Sequence, residues 1–108
     1  MTASLPGTVG PDALAQLWRT VEHVAQGRLA VLEDALRALE GDAADASTRS
    51  SAAHEECHKL VGSLDSFART GGSALALRAA ELFEQARPDT AVLADVLARL
   101  RRTVDGTA

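Results

Sequence analysis

Apolar residues recur every three or four positions in four separate segments of the chain, and this spacing is typical of helices that pack together. A helix turns once in about 3.6 residues, so the pattern places apolar side chains along one face of each segment. The first segment carries the longest pattern, formed by Leu14, Leu17, Trp18, Val21, Val24, Leu32, Ala35, Leu36 and Leu39. Because no single helix buries such a face alone, the four segments are expected to pack against one another.

Breaks in the pattern indicate where each helix begins and ends. The first helix is predicted to begin at Pro11 and to stop at Gly41. Gly27 either is tolerated inside one long helix or marks a bend between two shorter ones. The polar connection that follows offers three residues that could cap the second helix, namely Asp45, Ser47 and Thr48.

The second segment is predicted to run until the glycine pair Gly71 and Gly72, and its apolar side comprises Cys57, Leu60, Val61, Leu64, Phe67 and Ala68. The third is predicted to start near Ser73 and to stop before Pro88, which with Asp89 opens the fourth. We therefore expect an all-α chain that folds as an antiparallel up-down four-helix bundle over residues 11–105. Residues 1–10 lack the helical pattern and are expected to form a disordered, flexible leader.

Composition excludes several classes of protein. A chain of 108 residues suffices for one domain with a modest core. A formal net charge of −4 provides no concentrated basic face for a nucleic acid. The single cysteine cannot form an internal disulfide, and neither a secretion signal nor an apolar run of about 20 residues is present. We expect a cytoplasmic protein with no nucleic-acid or membrane partner, and we assign Trp18, Phe67 and Phe83 to the core.

The stretch HEECHKLVGS, residues 54–63, concentrates the chemically reactive side chains. His58 lies about 120° around the helix from the centre of the apolar side, so it is expected to face solvent. Helical side chains lean toward the N-terminus, so a side chain at position 62 would cover the imidazole, and glycine there leaves it bare. A glycine inside a helix costs about 1 kcal/mol, which suggests that access to His58 has a use. The alternative is that Gly62 permits close packing against a neighbouring helix.

The runs HKLVGSLDSF and GGSALALRAAELFE resemble the histidine-containing phosphotransfer domain of multistep two-component signalling, and this similarity covers residues 54–84. In that family the second helix of a four-helix bundle carries a histidine, any residue, an aliphatic residue, often a lysine, and then a glycine and a small residue. The matching residues here are His58, Leu60, Gly62 and Ser63. Val61 departs from the family pattern because many members carry lysine there, and Ala68 departs where glycine is common.

This resemblance implies that the outer ring nitrogen of His58 accepts a phosphoryl group from a receiver-domain aspartate or from a kinase, and passes it to the aspartate of a response regulator. It implies receiver domains and a sensor histidine kinase as partners, with no cofactor of its own, since Mg²⁺ is expected on the receiver. The protein would not be an enzyme with an independent active site. Lys59 is expected to replace the lysine missing at position 61, with Arg69 as a second candidate. The expected docking surface surrounds His58 and includes Lys59, Gly62, Ser63, Ser66 and parts of the first helix.

Other functions fit parts of the same stretch. The letters HEECH match the HExxH pattern of zinc peptidases, with His54 and His58 as ligands and Glu55 as base, but a third ligand and a substrate cleft are lacking; no metal site is predicted. Cys57 lies on the apolar side and is interpreted as a small buried hydrophobe rather than a redox sensor. A scaffold that binds receiver or kinase domains without transferring phosphate is the main alternative. A generic dimerisation domain would need a second apolar face, and because one bundle is expected to use every apolar stripe, a monomer is favoured.

Overall fold

The computed structural model describes residues 10–67 and 69–106, and every regular element within them is an α-helix. The helices are α1 (Pro11–Glu40), α2 (Ala46–Ser66), α3 (Thr70–Glu84) and α4 (Thr90–Asp105). The predicted all-α, four-helix fold is therefore confirmed. The predicted leader, apart from Gly10, and the predicted place of Ala68 lie outside the described residues. Among the described helices, none combines the length and the apolar character needed to cross a membrane.

The helices form a closed ring in which α1 packs on α2, α2 on α3, α3 on α4 and α4 on α1, and within the described residues no Cα atoms of diagonal helices lie within 8 Å of each other. Two contacts show that α1 and α2 run in opposite directions. Arg28 pairs with Glu56, and Trp18, ten residues before Arg28, meets Phe67. Neighbouring helices alternate in direction around the bundle, as expected for an up-down arrangement.

The core is made mostly of aliphatic side chains from all four helices. Leu29 and Leu32 of α1 and Leu60 and Leu64 of α2 are completely buried. They pack with a second group from α3 and α4, which comprises Ala76, Ala79, Ala80, Leu82, Phe83, Leu93, Val96, Leu97, Leu100 and Val104. Many of the α3 contributions are alanines, so the helix axes can approach closely, and burial of these apolar faces provides the main stabilising free energy.

Local signals account for several helix boundaries. α1 continues through Gly27 without interruption, so the single long helix is the correct one of the two alternatives. α4 opens at the predicted Pro88-Asp89 stretch, and Asp89 caps it, since its Oδ1 accepts hydrogen bonds from the backbone N–H groups of Ala91 and Val92 at 3.0 and 3.1 Å. Asp45 occupies the N-cap position of α2, but its carboxylate binds the guanidinium of Arg49 and does not cap the backbone.

The prediction that Gly71 and Gly72 end the second helix is wrong. α2 ends at Ser66, and both glycines lie in the first turn of α3. A Cβ at position 72 would lie 2.7 Å from Cγ2 of Thr103 and 3.2 Å from Cδ1 of Leu64. Gly72 therefore serves a close approach of three helices and does not break a helix, which the sequence pattern alone did not distinguish.

An aromatic cluster fixes the end of the bundle that contains the α2–α3 connection. The indole of Trp18 is buried, and its centroid lies 5.4 Å from that of the Phe67 ring in an edge-to-face arrangement. The guanidinium of Arg69 lies over the same indole at 4.2 Å. The core assignment of Trp18 and Phe83 is confirmed, and Phe67 is partly buried against the core. The cluster ties the N-terminal half of α1 to the rest of the fold.

One apolar stripe of α1 stays outside the core. Leu17 and Val24 are each 50% exposed, and Val31 is 37% exposed. These three residues are spaced by seven, so they lie on one face of the helix. The expectation that one bundle uses every apolar stripe is therefore wrong for α1, because its pattern is wide enough to cover both the core side and a neighbouring face. The monomeric state inferred from that expectation stays a prediction.

Candidate functional site

His58 lies in the middle of α2 and points away from the core. The buried residues of this helix are Ser50, Ala53, Cys57, Leu60 and Leu64, and they define the side that faces the other helices. His58 falls outside this side and is exposed, as its position in the pattern predicts. Its ring takes part in no hydrogen bond or ion pair within residues 10–67 and 69–106. A neutral imidazole without such partners keeps a ring nitrogen lone pair open to an incoming group.

Gly62 is also exposed, and a Cβ built on it would meet no atom within 4 Å. The alternative explanation, in which Gly62 permits close packing against another helix, is therefore wrong. Ser66, one turn later, turns its hydroxyl back onto the helix and donates a hydrogen bond to the carbonyl oxygen of Gly62 at 2.9 Å. The position one turn after His58 is consequently open, and the next exposed side chains on that flank are Asp65, two turns away, and Ser66, whose hydroxyl is bound to backbone.

His54 covers the other flank of His58. The two rings lie one turn apart with centroids separated by 4.7 Å and planes inclined by 80°, so they meet edge to face. Nε2 of His54 lies 2.9 Å from Oε1 of Glu84 on α3, a distance typical of a hydrogen bond in which the ring N–H donates to the carboxylate. His54 is thus held between its own helix and the next one.

The environment of His54 was missed by the sequence analysis. The spacing of four between His54 and His58 was visible and places the two rings on one face. Glu84 is thirty residues away along the chain, and its position opposite His54 depends on the register between α2 and α3. The apolar pattern predicts that these helices pack but does not fix which residues lie opposite each other.

Lys59 is directed away from His58 and toward α1. Its ammonium lies 3.3 Å from Oε1 of Glu56. The other carboxylate oxygen of Glu56, Oε2, accepts a hydrogen bond from Nη1 of Arg28 at 2.8 Å. Burial alone would raise the pKa of Glu56, but the hydrogen bonds from Arg28 and Lys59 outweigh this effect and hold its pKa below the ordinary 4.5. The negative charge of Glu56 thus already engages two cations, and Lys59 belongs to a bridge between α1 and α2.

Arg69 and the two serines occupy different places around the site. Arg69 lies beyond the end of α2, about 12 Å or more along the axis from His58, where it covers Trp18 and donates to the carbonyl oxygen of Thr103 at 3.3 Å. Ser63 is half-buried and Ser66 is exposed. The structure therefore brings His58, Gly62 and Ser66 together on one surface, and it does not bring Lys59 or Arg69 to the imidazole.

Cys57 precedes His58 in the chain but faces the core, where its side chain is completely buried. Burial raises the pKa of Cys57 to about 12, and the nearby charge of Glu56 adds to the effect. Its thiol is therefore protonated at physiological pH and is neither a good nucleophile nor a metal ligand. This supports the interpretation of Cys57 as a small buried hydrophobe.

The geometry does not assemble the zinc site suggested by the letters HEECH. Nε2 of His54 is bound to Glu84, and Cys57 points to the opposite side of the helix. In the described part of the chain, no group of three or more histidine, cysteine, aspartate or glutamate side chains is placed to hold a metal ion. Catalytic zinc sites use three protein ligands around the ion, so this arrangement falls short of one.

Comparison of the chain with models of protein families, with curated proteins and with solved structures finds no match.

Proposed function

We propose that this domain is a phosphorelay intermediate in which His58 accepts a phosphoryl group from a receiver-domain aspartate or a kinase and passes it to the aspartate of a response regulator. The observation that carries the proposal is the exposed imidazole of His58 beside the open position at Gly62. A glycine in the middle of a helix costs about 1 kcal/mol, and at Gly62 no packing contact offsets that cost. The sequence resemblance described above supports the same function.

The transfer follows from the chemistry of a neutral imidazole. The lone pair of the outer ring nitrogen attacks the phosphorus of an aspartyl phosphate, a nitrogen–phosphorus bond forms, and the phosphorus–oxygen bond to the carboxylate breaks. The carboxylate leaves with the electron pair, and the ring then releases the proton from its other nitrogen. The reverse sequence passes the phosphoryl group to the next aspartate. Such transfers depend mainly on positioning and charge compensation, which the Mg²⁺ and lysine of a receiver domain would supply.

A helix surface suits this role better than a cleft does. His58 projects from the solvent-facing side of α2, so a partner with a concave active site can enclose it. Gly62 and Ser66 present no long side chain that would keep the partner away. In this proposal the reactive centre is complete only when the two proteins are bound, and the domain therefore needs no independent active site.

A second candidate function is a scaffold that binds receiver or kinase domains without accepting phosphate. It is favoured by the absence of a lysine at position 61 and by the engagement of Lys59 with Glu56 and of Arg69 with Trp18. In this case the surface around His58 would still bind partners, but the imidazole would not react. The two functions differ in one observable, the phosphorylation of His58.

The test incubates wild-type protein and His58→Gln with a panel of radiolabelled, phosphorylated receiver domains. The proposal predicts an acid-labile, alkali-stable label on the wild type and none on His58→Gln, because phosphohistidine hydrolyses in acid and survives in alkali. His23→Gln, which changes an exposed histidine on α1, is the matched control and should be labelled like the wild type. Receiver binding without label on any of the three proteins would replace the relay with the scaffold.

A further inference from the structure

We infer that His54, oriented by Glu84, positions the ring of His58 and, in its imidazolium form, offsets the negative charge of the phosphoryl group. This inference rests on the proposed function and names two further residues of the same site. It assigns a cation to a site that has valine at position 61.

The first step is the geometry of the pair. The edge-to-face contact at 4.7 Å places the His54 ring against His58, on the side opposite the open flank at Gly62. Helical side chains lean toward the N-terminus, so the ring of His58 leans toward His54 and away from position 62. Because the His54 ring contacts one side of it, the His58 ring samples fewer rotamers than a freely exposed histidine. The His58 side chain therefore loses less conformational entropy when a partner binds over it.

The second step is the anchor on α3. The side chain of His54 is 27% exposed and that of Glu84 is 65% exposed, so the carboxylate is largely solvated while the imidazole is partly shielded from solvent. A carboxylate only accepts hydrogen bonds, so Nε2 of His54 must carry a proton in this contact. Glu84 therefore selects the Nε2–H form of a neutral His54 and equally accommodates the imidazolium form.

The third step is the search for a cation. Lys59 is held by Glu56 on the side toward α1, and Arg69 lies over Trp18 beyond the helix end. Within the described residues, His54 is the basic side chain whose ring is in contact with His58. A phosphoryl group on His58 adds negative charge beside His54, and an imidazolium held by Glu84 would offset that charge without any movement of the backbone.

The step itself balances without a further reactant. The His58 ring nitrogen bonds to phosphorus as the donor's bond to phosphorus breaks, and the donor group leaves with the electron pair. The proton released from the His58 ring passes to solvent. His54 forms no bond to phosphorus, and its contribution is electrostatic and positional.

The first experiment needs no partner protein. Imidazole nitrogen shifts are recorded by NMR, and the chain has only three histidines, so His23→Gln and His54→Gln assign all signals. We expect neutral His54 in the wild type to carry its proton mainly on Nε2, and we expect Glu84→Gln to reduce that fraction. Glu81→Gln, on the same helix and directed at Arg78, should leave the spectrum unchanged. A His54 tautomer that is the same in Glu84→Gln and in the wild type would overturn the orienting role of Glu84.

The second experiment measures reactivity with phosphoramidate, a small donor that loses ammonia as the histidine is phosphorylated. We expect His54→Gln, which removes the ring, and His54→Phe, which keeps a ring but removes the charge, to slow labelling of His58 about fivefold. His23→Gln should leave the rate at His58 unchanged. Equal rates in wild type and His54→Phe would overturn the electrostatic role, and equal rates in wild type and His54→Gln would overturn both roles.

The two proposals fail in different ways. If no phosphorylated receiver labels the wild type, the relay function fails, and the tautomer and phosphoramidate measurements still decide whether His54 controls His58. If receivers label the wild type and His54→Gln at the same rate, the relay function stands and the present inference is wrong. A slower transfer to His54→Gln and His54→Phe, with binding unchanged, is the expected result.

Discussion

At the scale of single residues, Gly62 connects the stability of α2 with access to His58. Replacing Gly62 with glutamine adds a better helix former and a side chain that leans back over the imidazole. We expect Gly62→Gln to raise the free energy of unfolding by about 0.5–1 kcal/mol, since no atom lies where its Cβ would be placed. We expect the same change to slow phosphoryl transfer about tenfold or more, because the partner must approach the covered nitrogen.

Gly27 provides the matched control for this prediction. It also lies inside a helix, it is exposed, and a Cβ on it would meet nothing within 4 Å. Gly27→Gln should produce a similar gain in stability, measured by denaturant unfolding, with an unchanged rate of transfer. If both variants transferred at the wild-type rate, the open flank at Gly62 would have no role in access to His58.

Cys57 carries a second prediction at this scale. Because burial raises the pKa of Cys57 to about 12, the native thiol should not react with Ellman's reagent at pH 8 on the time scale of minutes. The thiol should react at once in guanidinium chloride, where the bundle is unfolded. Rapid labelling of the native protein would show that Cys57 is accessible and that the packing of α2 described above is incorrect.

At the scale of helices and their contacts, Gly72 lies where α2, α3 and α4 approach one another closely. A methyl group there would collide with Cγ2 of Thr103, whose hydroxyl donates to the carbonyl oxygen of Arg99 at 3.2 Å, so rotating the threonine away would break that bond. Leu64, the next contact, is completely buried. We expect Gly72→Ala to lower the free energy of unfolding by about 1–3 kcal/mol.

The neighbouring residue offers a direct comparison for this prediction. Gly71 lies in the same turn of α3, but a Cβ on it meets no atom within 4 Å. Gly71→Ala should therefore be neutral or slightly stabilising in the same denaturant titration. Two variants with equal stability would contradict the close approach of the three helices at position 72.

The helices themselves were largely predictable from the sequence, because each apolar face is repeated over several turns. The start of α1 at Pro11 and the start of α4 just after Pro88 and Asp89 followed from local chemistry. The end of α2 could not be predicted in this way, because the sequence does not distinguish a glycine required for close packing, such as Gly72, from a glycine that ends a helix. The apolar spacing also did not predict the pairing of His54 with Glu84, because this pairing depends on the register between α2 and α3.

The position of His58 was predictable for a different reason. Its outward direction depends only on the angle between position 58 and the apolar residues of its own helix, and this local quantity is the same in any bundle. The cations expected to support it were less predictable. Lys59 and Arg69 have long side chains, and which carboxylate or ring each one meets is decided by neighbouring helices.

At the scale of the whole molecule, the bridge from Arg28 and Lys59 to Glu56 makes stability depend on pH. The pKa of Glu56 lies below its ordinary 4.5 in the folded protein, so its contribution is fully present above that value and is lost as the pH falls through the folded pKa. The side chain of Glu56 is only 21% exposed, but those of Arg28 and Lys59 are partly solvated, and water weakens the attraction between the charges. We therefore expect the two ion pairs to contribute about 1 kcal/mol to the free energy of unfolding.

The measurement is the free energy of unfolding between pH 7 and pH 3. We expect Glu56→Gln to be less stable than the wild type at pH 7 and to approach the wild type at the lowest pH. Glu55→Gln, which changes an exposed neighbour, should follow the wild type across the range. A constant difference between wild type and Glu56→Gln at every pH would contradict the assignment of this charge to the α1–α2 bridge.

The central claim is that the exposed His58 carries the phosphoryl group, and the most direct test identifies the phosphorylated residue. Wild-type protein is incubated with a phosphorylated receiver domain, kept at alkaline pH, and analysed by mass spectrometry that assigns the modified histidine. The chain has three histidines, and the account predicts phosphate on His58 alone. Phosphate on His54 or His23, or on no histidine after incubation with the whole receiver panel, would contradict it.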